Sequence, residues 1–358
     1  MMPKKLNSIQ FLRGIAASLV VYSHVIDVQE KFSISKQGAF FYWGNFGAIG
    51  ADLFFVISGF IISYIANEYI GLTKAKEFLI KRFLRINPIY YLASLIQLIV
   101  FYYYYTPFPL EEMINKLCDT VILFPLFDSS HPISPILSVG WTLSFEWWFY
   151  LIFLGTILFK LEKKLLCLIL IFGALIISGV CFRHNDLRIF FFTSPIMIEF
   201  VLGIIIYQIY HKFKISASIS YLLIILGIIS YLFNIFNGYG NISEFGNILL
   251  HGQGFLRVII WGIPSAFLVA GCVYLETNNG LNKLWNSRLF LLVGDASYAI
   301  YLLHIPVLYV IIILHYKAGL NFYPDLGVII FFIIAIFSGI LFYLLIEKKI
   351  MYWFNLKV

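Results

Sequence analysis

The chain is poor in charge. Only 12% of its 358 residues are Asp, Glu, Lys or Arg, whereas soluble domains contain about 25%. Hydrophobic residues make up 61% of the chain, and its mean hydropathy is +0.91. This composition excludes an ordinary soluble domain and predicts a membrane protein with several spans.

Cysteine patterns and sequence repeats are also missing. Cys118, Cys167, Cys181 and Cys272 are scattered, and they form neither a metal-binding spacing nor a disulfide framework. No repeat of fixed period is present, whereas secondary transporters commonly contain internal repeats. The sequence therefore predicts no cysteine-based metal site and gives no support for a transporter built from repeats.

Apolar stretches long enough to cross a bilayer as helices occur about ten times. We expect an all-α polytopic integral membrane protein that forms a single transmembrane domain over residues 1–358. The stretch 106–140 is apolar but interrupted by prolines, and we interpret it as a re-entrant or interfacial segment. The predicted spans are 9–27, 50–66, 86–105, 141–159, 165–182, 189–209, 219–236, 255–275, 290–314 and 326–346.

The basic residues predict the orientation of the chain. With a cytoplasmic N-terminus, 17 of the 25 Lys and Arg residues lie on the cytoplasmic side and six on the other, while Arg13 and Arg257 lie inside spans. An even number of spans also makes the C-terminus cytoplasmic. Arg13 occupies the apolar core that a signal peptide would need, so we interpret the first span as retained. The net charge of +7 therefore indicates topology rather than nucleic-acid binding.

The first span carries two ionisable side chains on one face. Arg13 and His24 are eleven residues apart, which places them about 20° from a common direction and about 16 Å apart along a helix. Ionisable groups inside a membrane are costly and are functional by default. The second span begins near Asp52 at the predicted outer side, so an antiparallel hairpin brings Asp52 close to His24.

Six motifs occur in a fixed order over nearly the whole chain: LRGIAASLVVYSH, GADLFFVISGFII, KRFLRINPIYYL, PILSVGWTLSFEWWFY, ASYAIYLLHIP and FYLLIEKK. Together they resemble the membrane acyltransferase-3 family, the O-acyltransferases that modify bacterial surface sugars. The fourth motif is most similar to exopolysaccharide-type members, and no appended esterase-like domain is expected. The chain departs from the family at Lys348 and Lys349, which follow Glu347 where relatives often have a proline.

The resemblance implies a reaction and its partners. An acyl group, most often acetyl, moves from cytoplasmic acyl-CoA to a hydroxyl of a surface polysaccharide or of its undecaprenyl-linked precursor. We expect acyl-CoA as the donor substrate, no metal, no nucleic acid, and a multi-pass location among the lipids of the bacterial cytoplasmic membrane.

Catalysis of this reaction needs a base, an orienter for that base and a site for the donor. We predict that His24 is the general base and that Asp52 orients it. Glu146 lies among tryptophans in the fourth span, where a carboxylate is costly without a partner. We assign it as a second carboxylate or a sugar-binding group, with a structural ion pair as the alternative.

The donor's phosphates need cations on the cytoplasmic side. Arg13 is one candidate, and Arg82 and Arg85 lie at the end of the predicted connector 67–85. A guanidinium fork binds two phosphate oxygens at once, although basic residues at this position also serve topology alone.

Two further residues are candidates for contact with the acceptor. His304 lies in the middle of the ninth span and is predicted either to contact substrate or to pack in the core. Trp141 is assigned to substrate binding, and an interfacial tryptophan belt is its alternative role.

Two other functional classes remain open at this stage. Ten spans with buried charges also describe a secondary transporter or a lipid-linked sugar flippase, and an enzyme is distinguished from these by consuming labelled acyl-CoA. An acyltransferase that acts on lipid or peptidoglycan is the third possibility.

Overall fold

The computed structural model describes residues 5–32, 38–40, 46–47, 49–104, 109–124, 135–182, 186–239, 251–318 and 323–354. Over these residues the regular structure is helical, and no strand is found there. Ten helices within the described parts are long and apolar enough to cross a membrane. The predicted all-α polytopic fold is therefore confirmed.

The helices are numbered here in chain order, and two of the long helices contain a π-helical turn. They are α1 Asn7–Phe32, α2 Ile49–Ala66, α3 Gly71–Tyr104, α4 Leu110–Ile122, α5 Trp141–Leu158, α6 Lys164–Cys181, α7 Leu187–Phe192, α8 Met197–Lys212, α9 Ala217–Phe236, α10 His251–Arg257 continuing through the π turn Val258–Gly262 to Ile263–Thr277, α11 Asn282–Trp285, α12 Arg288–Asp295, α13 Ser297–Ala318, and α14 Pro324–Phe342 continuing through the π turn Tyr343–Glu347 to Lys348–Trp353.

The connector predicted at 67–85 is wrong, because α3 already begins at Gly71. Charged pairs at helical spacing support this first part of α3. Lys74 Nζ lies 2.7 Å from Glu77 Oε2, and Lys81 Nζ lies 2.6 Å from Glu77 Oε1. As a consequence, Arg82 and Arg85 stand on a rigid helix rather than in a loop.

Two predicted spans are interrupted. The predicted span 290–314 consists of α12 and α13, which are separated at Ala296. The predicted span 189–209 consists of α7 and α8. Pro195 lies at their junction, where its missing N–H group prevents a continuous hydrogen-bond ladder. For the predicted re-entrant segment, residues 105–108 and 125–134 lie outside the described part of the chain, so that interpretation stays a prediction.

The bundle packs around α1, which contacts α2, α12, α13 and α14. The α2–α8 contact is close because both helices carry glycine there. A Cβ atom on Gly59 would clash with the backbone carbonyl of Phe200, and one on Gly203 would clash with that of Val56. Small residues of this kind let membrane helices approach closely. This packing holds α2 against the centre of the bundle, where a cavity opens.

Candidate active site

A cavity of about 100 Å³ lies between α1, α2, α3, α5 and α13. Arg13, Arg82 and Arg85 line it together, so the structure brings the three predicted donor-binding cations to one place. Arg13 comes from α1 and the other two from α3, and both helices pack against α13. We call this space the arginine cavity.

The order of residues along two helices gives the arginine cavity a direction. On α5, Tyr150 is followed toward the helix start by Glu146 and Thr142. On α13, Tyr298 precedes Tyr301 by one turn. Tyr150 lies near Arg82, whereas Thr142 contacts Tyr301. The arginines therefore mark one end of the cavity, and Thr142 and Tyr301 mark the other.

The three guanidinium groups lack a direct carboxylate partner. Over the described residues, none of them has a carboxylate oxygen within 4.0 Å. Arg82 Nε is buried and has no hydrogen-bond partner there, and the Arg82 guanidinium lies 5.9 Å from the Tyr150 ring centre. Arg85 lies within electrostatic range of both other arginines. The cluster thus retains unused hydrogen-bonding capacity and positive charge.

Glu347 supplies a longer-range negative charge that the sequence analysis missed. It is buried on the π turn of α14, and it lies within electrostatic range of Arg13 and Arg85 without forming an ion pair. An acid directly after the last predicted span was the available signal. Its distance leaves the guanidinium hydrogen-bonding positions open.

Glu146 lies inside the arginine cavity, and its carboxylate has two neighbours. Ser58 Oγ donates a hydrogen bond to Glu146 Oε1 at 3.0 Å, and the Tyr150 hydroxyl donates to the same oxygen. These bonds hold the carboxylate at the middle of the cavity, between the arginines and Tyr301. Glu146 forms no ion pair within the described part of the chain, so the contacts there do not support the predicted alternative of a structural ion pair.

His24 contacts His304, and the contacts of the two rings assign their tautomers. His24 Nδ1 lies 3.0 Å from the Val20 carbonyl oxygen, and His304 Nδ1 lies 3.2 Å from that of Ile300. Since a carbonyl only accepts, each Nδ1 carries the proton. His304 Nε2, which lies 3.3 Å from His24 Nδ1, then accepts from it. Over the described residues, this assignment leaves the lone pair of His24 Nε2 without a hydrogen-bond partner.

The predicted Asp52–His24 contact is wrong. Asp52 is fully buried and pairs with Arg257, whose Nε lies 2.9 Å from Asp52 Oδ1 and whose Nη2 lies 2.8 Å from Oδ2. Glu199 lies within electrostatic range of this pair. Arg257 lies inside a span, but a sequence alone does not say which buried acid such a cation will meet.

The two residues that were candidates for contact with the acceptor both pack against protein side chains. His304 is fully buried, and its Nε2 lies 3.3 Å from His24 Nδ1, which corresponds to the predicted alternative of packing in the core. Trp141 packs edge-on against Phe55 and Phe145, with ring centres 6.2 Å and 6.0 Å apart. Neither residue lines the arginine cavity within the described part of the chain.

Comparisons with known proteins identify a family and several similar sequences. A sequence profile for the acyltransferase domain family matches residues 6–348. The exopolysaccharide production protein ExoZ of Rhizobium meliloti is 30% identical, over 85% of this chain and 90% of that protein. The peptidoglycan O-acetyltransferase OatA of Listeria monocytogenes is 26% identical, over 85% of this chain and 50% of that protein. A putative O-acetyltransferase of Staphylococcus aureus is 25% identical, over 85% and 51%. No solved structure matches the chain.

Proposed function

Since the chain belongs to the acyltransferase-3 family over residues 6–348, we propose that it is a membrane-bound O-acyltransferase that uses acyl-CoA. The acyl group is acetyl, and the acceptor is a hydroxyl of a surface polysaccharide or of its undecaprenyl-linked precursor. The enzyme works in the bacterial cytoplasmic membrane, with both termini in the cytoplasm. The names of the similar proteins, which refer to exopolysaccharide production and to O-acetylation of peptidoglycan, support this class of acceptor.

The arginine cavity is the observation that carries the proposal. Three guanidinium groups inside a membrane protein, with no carboxylate in direct contact among the described residues, favour a ligand with several negative charges. The diphosphate and ribose phosphate of CoA meet this demand, because each guanidinium binds two phosphate oxygens at once. With the predicted orientation, this end of the cavity faces the cytoplasm, where acyl-CoA is made.

The chemistry takes place at His24. Its Nε2 accepts the proton of the acceptor hydroxyl while that oxygen attacks the thioester carbonyl. The C–S bond then breaks, and the departing CoA thiolate takes the proton back from the imidazolium. His304 accepts from His24 Nδ1–H, which keeps the ring in the tautomer that this step needs. Glu146 supplies a carboxylate next to the path of the donor.

Asp52 has a different role from the one predicted from the sequence. Its bidentate pair with Arg257 joins the first turns of α2 to α10, so we propose that Asp52 positions α2, which lines the arginine cavity. A peptidoglycan acceptor is the second candidate, because OatA is named as a peptidoglycan O-acetyltransferase and its match covers 85% of this chain.

The test uses purified protein in nanodiscs with acetyl-CoA labelled in its acetyl group. Wild-type protein should move label to a glycan fraction from the producing strain and release free CoA. Glycan and peptidoglycan fractions offered side by side separate the two acceptors. Absence of label transfer to either fraction, by protein that is folded, would refute the proposal.

A further inference from the structure

The arginine cavity does not reach the histidine pair. Its far end is lined by Ala51, Phe54, Thr142 and Tyr301. Over the described residues, neither His24 nor His304 is part of its lining. A donor held by the arginines and a base at His24 are therefore separated by the side chains at the far end of the cavity. We call these side chains the wall.

Tyr301 is the fixed half of this wall. Its hydroxyl lies 2.7 Å from Thr142 Oγ1 and 3.1 Å from the Val139 carbonyl oxygen. Its ring centre lies 6.1 Å from that of His304. Tyr301 thus contacts the cavity on one side and the histidine pair on the other, and moving it would break two hydrogen bonds.

Phe54 is the half that is free to move. Its ring meets Tyr301 edge-on, with centres 5.6 Å apart, and it is half-buried in the cavity. A phenylalanine ring has no hydrogen bond to break, so a change of rotamer costs less for Phe54 than for Tyr301.

We infer that Phe54 and Tyr301 form a barrier between the arginine cavity and the histidine pair, and that Phe54 limits the length of the acyl group that passes. This inference rests on the proposed function, since it requires a donor anchored at the arginines. The acyl end of the donor lies against the two rings, and Phe54 turns aside to let it reach His24. A short acyl group needs a small displacement, whereas each added methylene needs more space.

The test is a competition between acetyl-, propionyl- and butyryl-CoA in nanodiscs with a glycan acceptor. Phe54→Ala should raise the ratio of butyryl to acetyl transfer by about tenfold or more, because one methylene in an apolar pocket changes selectivity by about 10- to 200-fold. Phe54→Leu should give a smaller rise in the same direction. Phe337→Ala, a truncation at an exposed position on α14, is the matched control and should keep the wild-type ratio.

Affinity for CoA serves as the check on folding, because the arginines lie at the other end of the cavity and should bind CoA equally in all four proteins. A Phe54→Ala protein that binds CoA but keeps the wild-type ratio overturns the barrier. An equal loss of transfer with all three donors overturns it as well. Failure of the proposed function looks different, because the wild-type protein itself would then transfer no acyl group from CoA.

Discussion

The arginines inside the helix bundle form two groups that differ in their partners. Arg257 is almost fully buried, and it binds both carboxylate oxygens of Asp52. Arg13, Arg82 and Arg85 face a cavity and have no such partner among the described residues. The residue type and the membrane setting are the same, but one group has its charge balanced by direct contact and the other does not.

We propose that unused hydrogen-bonding capacity, rather than charge, distinguishes the arginines that bind the donor from the one that supports the fold. A buried polar group with an internal partner supports the fold, since leaving it unpaired is costly. The same contrast separates the two histidines. His304 Nε2 accepts from His24, whereas His24 Nε2 keeps its lone pair.

Breaking the ion pair between Asp52 and Arg257 should give the largest effect, which is a loss of stability. Asp52→Ala leaves the guanidinium of Arg257 buried without its carboxylate, and we expect a loss of about 3–5 kcal/mol in the free energy of unfolding. Denaturant titration in detergent measures it. The double variant Asp52→Leu with Arg257→Met should recover most of the loss, because the pair is then replaced by apolar side chains. A single variant that is as stable as wild type would contradict the support role.

Removing the partner of the base should slow the reaction without weakening donor binding. His304→Ala removes one of the two contacts of His24 Nδ1 and leaves that of the Val20 carbonyl, so the ring is held less firmly, and a misplaced catalytic group costs about 10²-fold in rate. His304→Gln should restore part of the turnover, because its amide oxygen can accept from His24 Nδ1–H. Steady-state kinetics gives kcat and KM separately. If KM rises and kcat is unchanged, His304 contacts a substrate instead.

Replacing an arginine of the cavity by alanine should weaken donor binding without destabilising the protein. Arg82→Ala and Arg85→Ala each remove a charge-assisted hydrogen bond worth about 1.5–3 kcal/mol, which is about 10- to 150-fold in the dissociation constant of CoA. Calorimetry on nanodisc-embedded protein measures it. Arg288→Ala, an exposed arginine on α12, is the control and should bind as wild type does. Unchanged CoA affinity in both cavity variants would assign these cations to topology alone.

The smallest effect should come from replacing Arg82 by lysine, which keeps the positive charge but loses the bidentate geometry of the guanidinium. Arg82→Lys should bind CoA within about tenfold of wild type, because an ammonium group is still attracted to phosphate but forms no bidentate contact. The same calorimetric titration should rank wild type above the lysine variant and the lysine variant above the alanine variant. Equal affinity for the lysine and alanine variants would mean that charge contributes nothing at this position.

Much of the fold could be predicted from the sequence, because long apolar stretches and basic connectors are local signals. Helix breaks were harder to predict, since neither a proline nor a pair of glycines marks the break at Ala296. The common face of Arg13 and His24 followed from helix geometry, and the cavity brought Arg82 and Arg85 to Arg13 as expected. The partners of Asp52 and His24 were missed, because a pairing between distant helices depends on their rotation in the bundle.

In the proposed mechanism the arginines bind the donor and His24 performs the chemistry. The most direct test is to measure CoA affinity and turnover together in the His24→Ala protein. We predict that the dissociation constant of CoA stays at the wild-type value while turnover falls by about 10²–10⁴-fold, the usual contribution of a general base. Wild-type turnover, or a loss of CoA binding as large as the loss of turnover, would contradict the separate roles of the arginines and His24.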